Sequence, residues 1–151
     1  MSTVVSLRLK DKQLEALRRA ARRLGRSPSE TAVVLLEEAL RQREFTFIQF
    51  RDSPVGRQAY LQGTRLAVWQ VASLAQEYGG DAENRTADFP RVDKVAQHLG
   101  LPSAGIRAAL HYAAAYPEEI EAAIADSACT LAELQRLIPN LEIVEVDAPP
   151  A

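Results

Sequence analysis

Features that define several common protein classes are scarce in this 151-residue chain. It has one cysteine, Cys129, so an internal disulfide cannot form and a disulfide-stapled scaffold is excluded. No apolar run approaches the roughly 18 residues that a membrane span requires. The N-terminus has no basic leader followed by a short apolar stretch, as a secretory signal has. We therefore predict a cytoplasmic protein that does not enter membranes.

Residues typical of catalytic and metal sites are equally scarce. The two histidines, His98 and His111, have no cysteine or carboxylate pattern around them, so the spacing of a metal site is missing. Cys129 has no neighbouring base in the sequence, and glycine-rich phosphate loops are absent. We predict no enzyme activity, no metal and no cofactor.

The charge is unevenly distributed along the chain, although the net charge is only −2. Residues 1–45 contain ten Lys or Arg and six Asp or Glu, whereas residues 46–151 contain eight and fourteen. A basic segment is expected where a protein contacts phosphates, and the acidic remainder argues against nucleic acid wrapping around the whole molecule.

The first ten residues contain a strand pattern. Apolar and polar residues alternate from Val5 onward, with Val5, Leu7 and Leu9 on one face. The opposite face carries Val4, Ser6, Arg8 and Lys10. Because a single strand with an apolar face is not stable alone, and a helical pattern follows at once, we expect it to pair with the same strand of a second subunit.

Two helices are predicted next. The first starts near Lys12 and ends at Gly25, a C-terminal cap. The second starts at Pro28, with Ser27 as N-cap and Glu30 completing a capping box. Its residues 32–36, Ala39 and Leu40 are apolar around too much of the circumference for a surface helix, so we expect it in a shared core.

Strand, helix, turn and apolar helix within residues 3–44 resemble the ribbon-helix-helix family of DNA-binding proteins. The resemblance implies an intertwined dimer whose antiparallel ribbon enters the major groove. It implies base contacts from Val4, Ser6 and Arg8, and phosphate contacts from Ser27 and Ser29. Lys10, on the same outward face as Arg8, is a further predicted phosphate contact. Arginine pairs well with guanine and serine with several base edges, whereas valine offers only contact with a thymine methyl.

Two other interpretations of this segment stay open. In the first, residues 4–9 pair within a different sheet, and the arginines of the first helix form an ordinary solvated face. In the second, the fold is as described but serves only for dimerisation.

The pattern changes after Glu44. Aromatic residues predict a strand from Phe45 to Phe50, residues 52–56 a turn, and Gln58 to Leu61 a second strand. A mostly buried helix is predicted from Leu66 to Glu77, followed by a loop from Asp81 to Pro90.

Residues 92–115 indicate a helix-turn-helix with its turn at residues 100–102. Arg107 and His111 are its only polar candidates for base contacts on the second helix. The surroundings are acidic, so a packing role is favoured over DNA reading.

Residues 45–126 resemble a small bacterial family, the domain of unknown function 433. The matching runs are YLQGTRLAVW from Tyr60 to Trp69, AALHY from Ala108 to Tyr112, and PEEIE from Pro117 to Glu121. The resemblance implies a winged-helix-type fold and an antitoxin that occurs beside PIN-like ribonuclease toxins. The ribbon-helix-helix segment and the loop at residues 81–90 depart from the short members of that family.

Several residues are candidates for partner binding. Within the YLQGTRLAVW run, Gly63 suits a tight turn and Thr64 a helix cap. Arg65 either pairs with Glu118, Glu119 or Glu121 or faces a partner. Near the C-terminus, Leu134, Leu137 and Ile138 share the apolar face of a predicted helix, and Ile143 lies in a possible acidic-edged strand. These four either bind a toxin cleft or complete the second core.

The predicted fold class is mainly α with a short N-terminal β-ribbon: a ribbon-helix-helix dimer plus a small winged-helix-like α+β domain. The predicted boundaries are residues 1–44, 45–126 and 127–151. The expected function is that of an antitoxin that binds double-stranded operator DNA as a homodimer or higher assembly and neutralises a protein toxin. The alternative is a stand-alone transcription regulator with a partner-binding C-terminal domain.

Overall fold

The computed structural model describes residues 4–79 and 89–128, which fall into two compact units divided between Arg65 and Leu66. The elements are α1 (Asp11–Leu24), α2 (Pro28–Glu44), β1 (Ile48–Ser53), β2 (Gly56–Leu61), α3 (Val68–Glu77), α4 (Phe89–Leu99), α5 (Ser103–Ala115) and α6 (Pro117–Ser127). The mainly helical class with a short antiparallel sheet is confirmed. Among these helices, none combines the length and the apolar character needed to cross a membrane.

The helix ends of the first unit follow the predicted cap chemistry. Gly25 has a left-handed backbone, φ 62°, where α1 ends. Ser27 Oγ accepts a hydrogen bond from the Glu30 N–H at 3.3 Å, while Glu30 Oε2 accepts one from the Ser27 N–H at 3.0 Å. This reciprocal capping box fixes the start of α2 at Pro28.

Strands β1 and β2 form an antiparallel hairpin, in register from Ile48 opposite Leu61 to Ser53 opposite Gly56. The prediction that the first strand starts at Phe45 is wrong. The Phe45 N–H still bonds the Arg41 carbonyl at 2.8 Å and so extends the last turn of α2. Phe47 then adopts a left-handed backbone, φ 69°, which breaks an extended path and delays the strand to Ile48.

The first unit ends in a tight turn at Gly63, whose φ is 78°. The hydroxyl of Thr64 donates to the Leu61 carbonyl at 2.8 Å and closes the turn, whereas the N-cap residue of the next helix is Ala67. The predicted cap at Thr64 is therefore wrong, and so is the start of the helix at Leu66. Helix α3 starts at Val68, and Gln70 Oε1 accepts from the Ala67 N–H at 2.8 Å in front of it.

In the second unit, α3 packs against α5 and α6, and α4 packs against α5. The buried residues of this core are Ala67, Val68, Val71, Ala72, Ala75, Val92, Val95, Ala96, Ile106, Ala109, Tyr112 and Ile120. Gly100, with φ 63°, joins α4 to α5, so the two predicted helices and their turn are present. Their classification as a winged-helix-type fold stays a prediction.

Two features of this unit differ from the sequence prediction. Helix α4 starts at Phe89, so Phe89 and Pro90 are helical, whereas the rest of the predicted loop lies outside the described residues. Helix α6 is the second difference, because the sequence pattern predicts no helix at residues 117–127. Pro117 occupies its first turn, and Glu119 accepts a hydrogen bond from the buried Tyr112 hydroxyl at 2.9 Å.

Candidate nucleic-acid interface

The N-terminal segment carries the predicted base-reading residues Val4, Ser6 and Arg8, and all three are exposed. Residues 4–10 belong to no sheet within the described single chain. Their alternate apolar residues are also unburied: Val5 is 75% exposed, Leu7 69% and Leu9 45%. Both faces of the segment are therefore accessible in one chain, and the predicted ribbon between two subunits stays a prediction.

Helix α2 buries polar residues and exposes large apolar ones, which is the reverse of what is expected for a helix in a monomer. Its buried residues are Thr31 and Glu38, both polar. Val33, Leu36 and Leu40 are 66%, 54% and 59% exposed, and their spacing of three and four places them on one face. We call these three residues the α2 apolar stripe. A contiguous exposed apolar stripe is typical of a surface that another protein covers.

The start of α2 holds two of the predicted phosphate contacts, Ser27 and Ser29. The Ser27 hydroxyl donates to Glu30 Oε2 at 2.7 Å, and the same carboxylate accepts the Ser27 N–H. These bonds, and then the charge of Arg26, lower the pKa of Glu30 below its ordinary value. Both donors of Ser27, its N–H and its hydroxyl, are therefore bonded to the Glu30 carboxylate. A phosphate can accept hydrogen bonds from them only after those bonds break. Ser29 is exposed in the first turn of α2.

Lys10 is the last of the predicted phosphate contacts. It is exposed, and its N–H donates to Gln13 Oε1 at 2.9 Å at the start of α1. Its backbone is extended, with φ −73° and ψ 155°. Lys10 therefore joins the N-terminal segment directly to a helix, and its side chain is accessible to an anion.

A charged cluster ties the hairpin to α2. Arg57 donates to both carboxylate oxygens of Glu38, Nε to Oε1 at 2.5 Å and Nη2 to Oε2 at 2.7 Å, and Nη1 donates to Asp52 at 2.8 Å. The bond to Glu38 is the main cause of a raised pKa of Arg57, which stays charged. Sequence reasoning missed this cluster because nothing local connects residues 19 positions apart.

A second arginine of the hairpin, Arg51, supports the turn that follows it. Its Nη1 donates to the Thr64 carbonyl at 2.8 Å and its Nη2 to Gln49 Oε1 at 3.0 Å. The guanidinium carbon lies 5.4 Å from the centre of the Tyr60 ring, in cation–π range. Tyr60, Gly63 and Thr64 of the YLQGTRLAVW run therefore have structural roles here.

The predicted partner-binding residues are divided between described and undescribed parts of the chain. Arg65 is exposed and ends the first unit. Its pairing with an acidic residue of α6 stays a prediction. Leu134, Leu137, Ile138 and Ile143 lie outside the described residues.

The second unit exposes the two polar candidates of its helix-turn-helix, Arg107 and His111. At its surface the Tyr78 hydroxyl and His98 Nδ1 lie 2.7 Å apart, with the rings edge to face. Within residues 4–79 and 89–128, no group of three or more His, Cys, Asp or Glu side chains is arranged to hold a metal ion.

Comparison of the chain with protein-family models, curated proteins and solved structures finds no match. The family resemblances of the two segments therefore stay proposals.

Proposed function

We propose that this protein is an antitoxin that binds operator DNA as a homodimer through its first unit and holds a protein toxin through the rest of the chain. The observation that carries the dimer in this proposal is the unburied apolar surface of the first unit. It comprises Val5, Leu7 and Leu9 of the N-terminal segment and the α2 apolar stripe.

A second copy of the chain is the occupant that suits this surface. Full burial of a Val or Leu side chain is worth about 1.5–3 kcal/mol. These six side chains are roughly half exposed or more in each chain. Covering all twelve in a dimer gains on the order of 10 kcal/mol, which is comparable with the cost of association, about 4–15 kcal/mol.

Dimerisation also gives the N-terminal segment its function. When Val5, Leu7 and Leu9 face the shared core, period-2 alternation directs Val4, Ser6 and Arg8 to the outside of a two-stranded ribbon. A two-stranded ribbon fits the major groove, where an arginine can bind guanine through two hydrogen bonds. The basic composition of residues 1–45 suits contact with the phosphate backbone.

The toxin-binding half of the proposal rests on the resemblance of residues 45–126 to an antitoxin family. Coexpression with the product of the adjacent gene tests it. Copurification of the two chains, with loss of that product's ribonuclease activity, supports an antitoxin for a PIN-like toxin. DNA binding without such a partner contradicts that half and favours a stand-alone regulator.

A further inference from the structure

The C-terminal half of α1 carries a cluster of arginines that the proposed ribbon does not use. Arg18, Arg19, Arg22 and Arg23 lie on α1, and Arg26 follows its cap residue Gly25. All five are exposed, and in the part of the chain that the structure describes none forms an ion pair. We call these five residues the α1 arginine face.

Helix geometry places these side chains together. With about 100° per residue, the four arginines of α1 span an arc of about 140°. The half-buried Leu14 and Leu17 and the buried Ala21 lie on the other side of the helix, towards α2. Arg18 and Arg22 are one turn apart, about 6 Å along the axis. The four arginines of α1 thus lie close together on one side of the helix, where Glu15 precedes them by about one turn.

Intramolecular stability does not account for this patch. Cations in the last turn of a helix interact favourably with the helix dipole. This interaction stabilises Arg22 and Arg23 but does not explain the other three arginines. Like charges four residues apart, as in Arg18 with Arg22 and Arg19 with Arg23, destabilise a helix. Glu15 is close enough in sequence to pair with Arg18 or Arg19, yet among residues 4–79 and 89–128 it makes no ion pair. An anion bound from outside the chain would reduce the repulsion between these like charges.

We propose that the α1 arginine face binds the phosphate backbone of the DNA duplex that the N-terminal segment contacts. This inference rests on the proposed DNA binding and deepens it. Guanidinium groups bind phosphate oxygens through paired hydrogen bonds, and unpaired arginines are available for them. The face adjoins one predicted contact region, since Ser27 directly follows Arg26, and Lys10 of the other region lies eight positions before Arg18.

An independent observation favours this assignment of the phosphate contacts. At the start of α2, Glu30 occupies the Ser27 N–H and hydroxyl with a carboxylate, which opposes a phosphate there. Arg26 directly precedes Ser27 and carries a positive charge, whereas the Glu30 carboxylate of the capping box carries a negative one. The α1 arginine face is therefore the stronger phosphate-binding element of the first unit.

The salt dependence of DNA binding tests the inference. The affinity of the full chain for a mixed-sequence duplex of about 20 base pairs, roughly two helical turns, is measured between about 50 and 200 mM salt. The double variants are Arg18→Gln with Arg22→Gln, and Arg19→Gln with Arg23→Gln. Glutamine keeps helix propensity, so circular dichroism should be unchanged.

The matched control combines Arg43→Gln with Lys94→Gln, which removes the same charge at two other exposed helical positions. If each arginine contacts a phosphate, the slope of log affinity against log salt falls by about 1.8 per chain in a face variant, from two contacts at about 0.9 each. The control retains the wild-type slope.

Three results separate the possible failures. A reduced slope in the face variants alone supports the inference. An unchanged slope in a wild-type protein that binds DNA overturns it and leaves the proposed function intact. No binding by the wild-type chain at the lowest salt overturns the proposed function and this inference together.

Discussion

Replacing Glu38 should destabilise the first unit far more than replacing its neighbour Glu37. Glu38 forms two charge-assisted hydrogen bonds with Arg57, and the two side chains are only 12% and 23% exposed. Such bonds are each worth about 1.5–3 kcal/mol. Their partial exposure reduces that value, and Arg57 keeps Asp52 as a partner. We therefore expect Glu38→Ala to cost about 2 kcal/mol.

Glu37 provides the control. It pairs with Arg41 one helical turn away, and its side chain is 55% exposed. Exposed pairs of this kind are worth about 0.3–0.5 kcal/mol. Both glutamates lie inside α2, so the gain in helix propensity on replacement by alanine is the same at each position.

Urea unfolding at a fixed chain concentration measures the difference. With a denaturant slope of about 1–3 kcal/mol per molar, Glu38→Ala should lower the midpoint by about 1 M, and Glu37→Ala should hardly change it. A double-mutant cycle with Arg57→Ala should give a coupling of about 1 kcal/mol or more. Equal losses for the two glutamate variants, or no coupling, would refute the reasoning.

Three further predictions concern the proposed dimer interface, the proposed base contact of Arg8 and the helix cap at Glu30. Leu36→Asp places a charge in the α2 apolar stripe and should therefore convert the proposed dimer to monomers in sedimentation equilibrium, whereas the solvent-facing Gln42→Asp should not; a dimer that persists contradicts the proposed occupant. Arg8→Ala should weaken operator binding by about 1–3 kcal/mol and relax sequence preference; unchanged discrimination between operator and scrambled DNA argues against base contact. Glu30→Gln should lower thermal stability at about pH 7, and the difference from wild type should shrink as the pH falls below 4.5, the ordinary pKa of the carboxyl; a difference independent of pH contradicts the cap.

The sign of the Glu30 effect follows from the direction of its pKa shift. Hydrogen bonds from Ser27 lower the pKa of this carboxyl in the folded chain below its ordinary value of 4.5. Its contribution to stability is therefore complete above that ordinary value and is lost as the pH falls through the lower pKa of the folded state. Glutamine carries no charge at any pH, so the two proteins converge in acid.

Local chemistry explains which features could be predicted from the sequence. Gly25 and the Ser27–Glu30 capping box act within a few residues, so the ends of α1 and the start of α2 are determined by neighbouring side chains. The turn between α4 and α5 is similarly local, because Gly100 supplies the left-handed backbone.

Features that depend on distant residues or on a single backbone angle could not be predicted. The bond from Arg57 to Glu38 joins a hairpin to a helix across 19 positions. The left-handed backbone of Phe47 has no sequence signal, since aromatic residues favour strands. Helix α6 is rich in alanine, which weakens the apolar periodicity that would have marked it.

The candidate site also combines features that the sequence predicts with features that only a structure shows. Alternation within residues 4–10 identifies which residues share a face, but only a structure shows that both faces are exposed in one chain. Similarly, the apolar run of α2 predicts a buried helix, whereas a single chain leaves Val33, Leu36 and Leu40 exposed. The prediction and the structure agree if a second copy supplies the missing half of the core.

A stoichiometric titration of the chain's own upstream DNA, followed by fluorescence anisotropy, tests whether this protein binds a specific site as a dimer. We expect saturation at two chains, or a multiple of two, for each site, with tighter binding than to a scrambled duplex of the same length. Saturation at one chain for each site, or equal affinity for both duplexes, would contradict it.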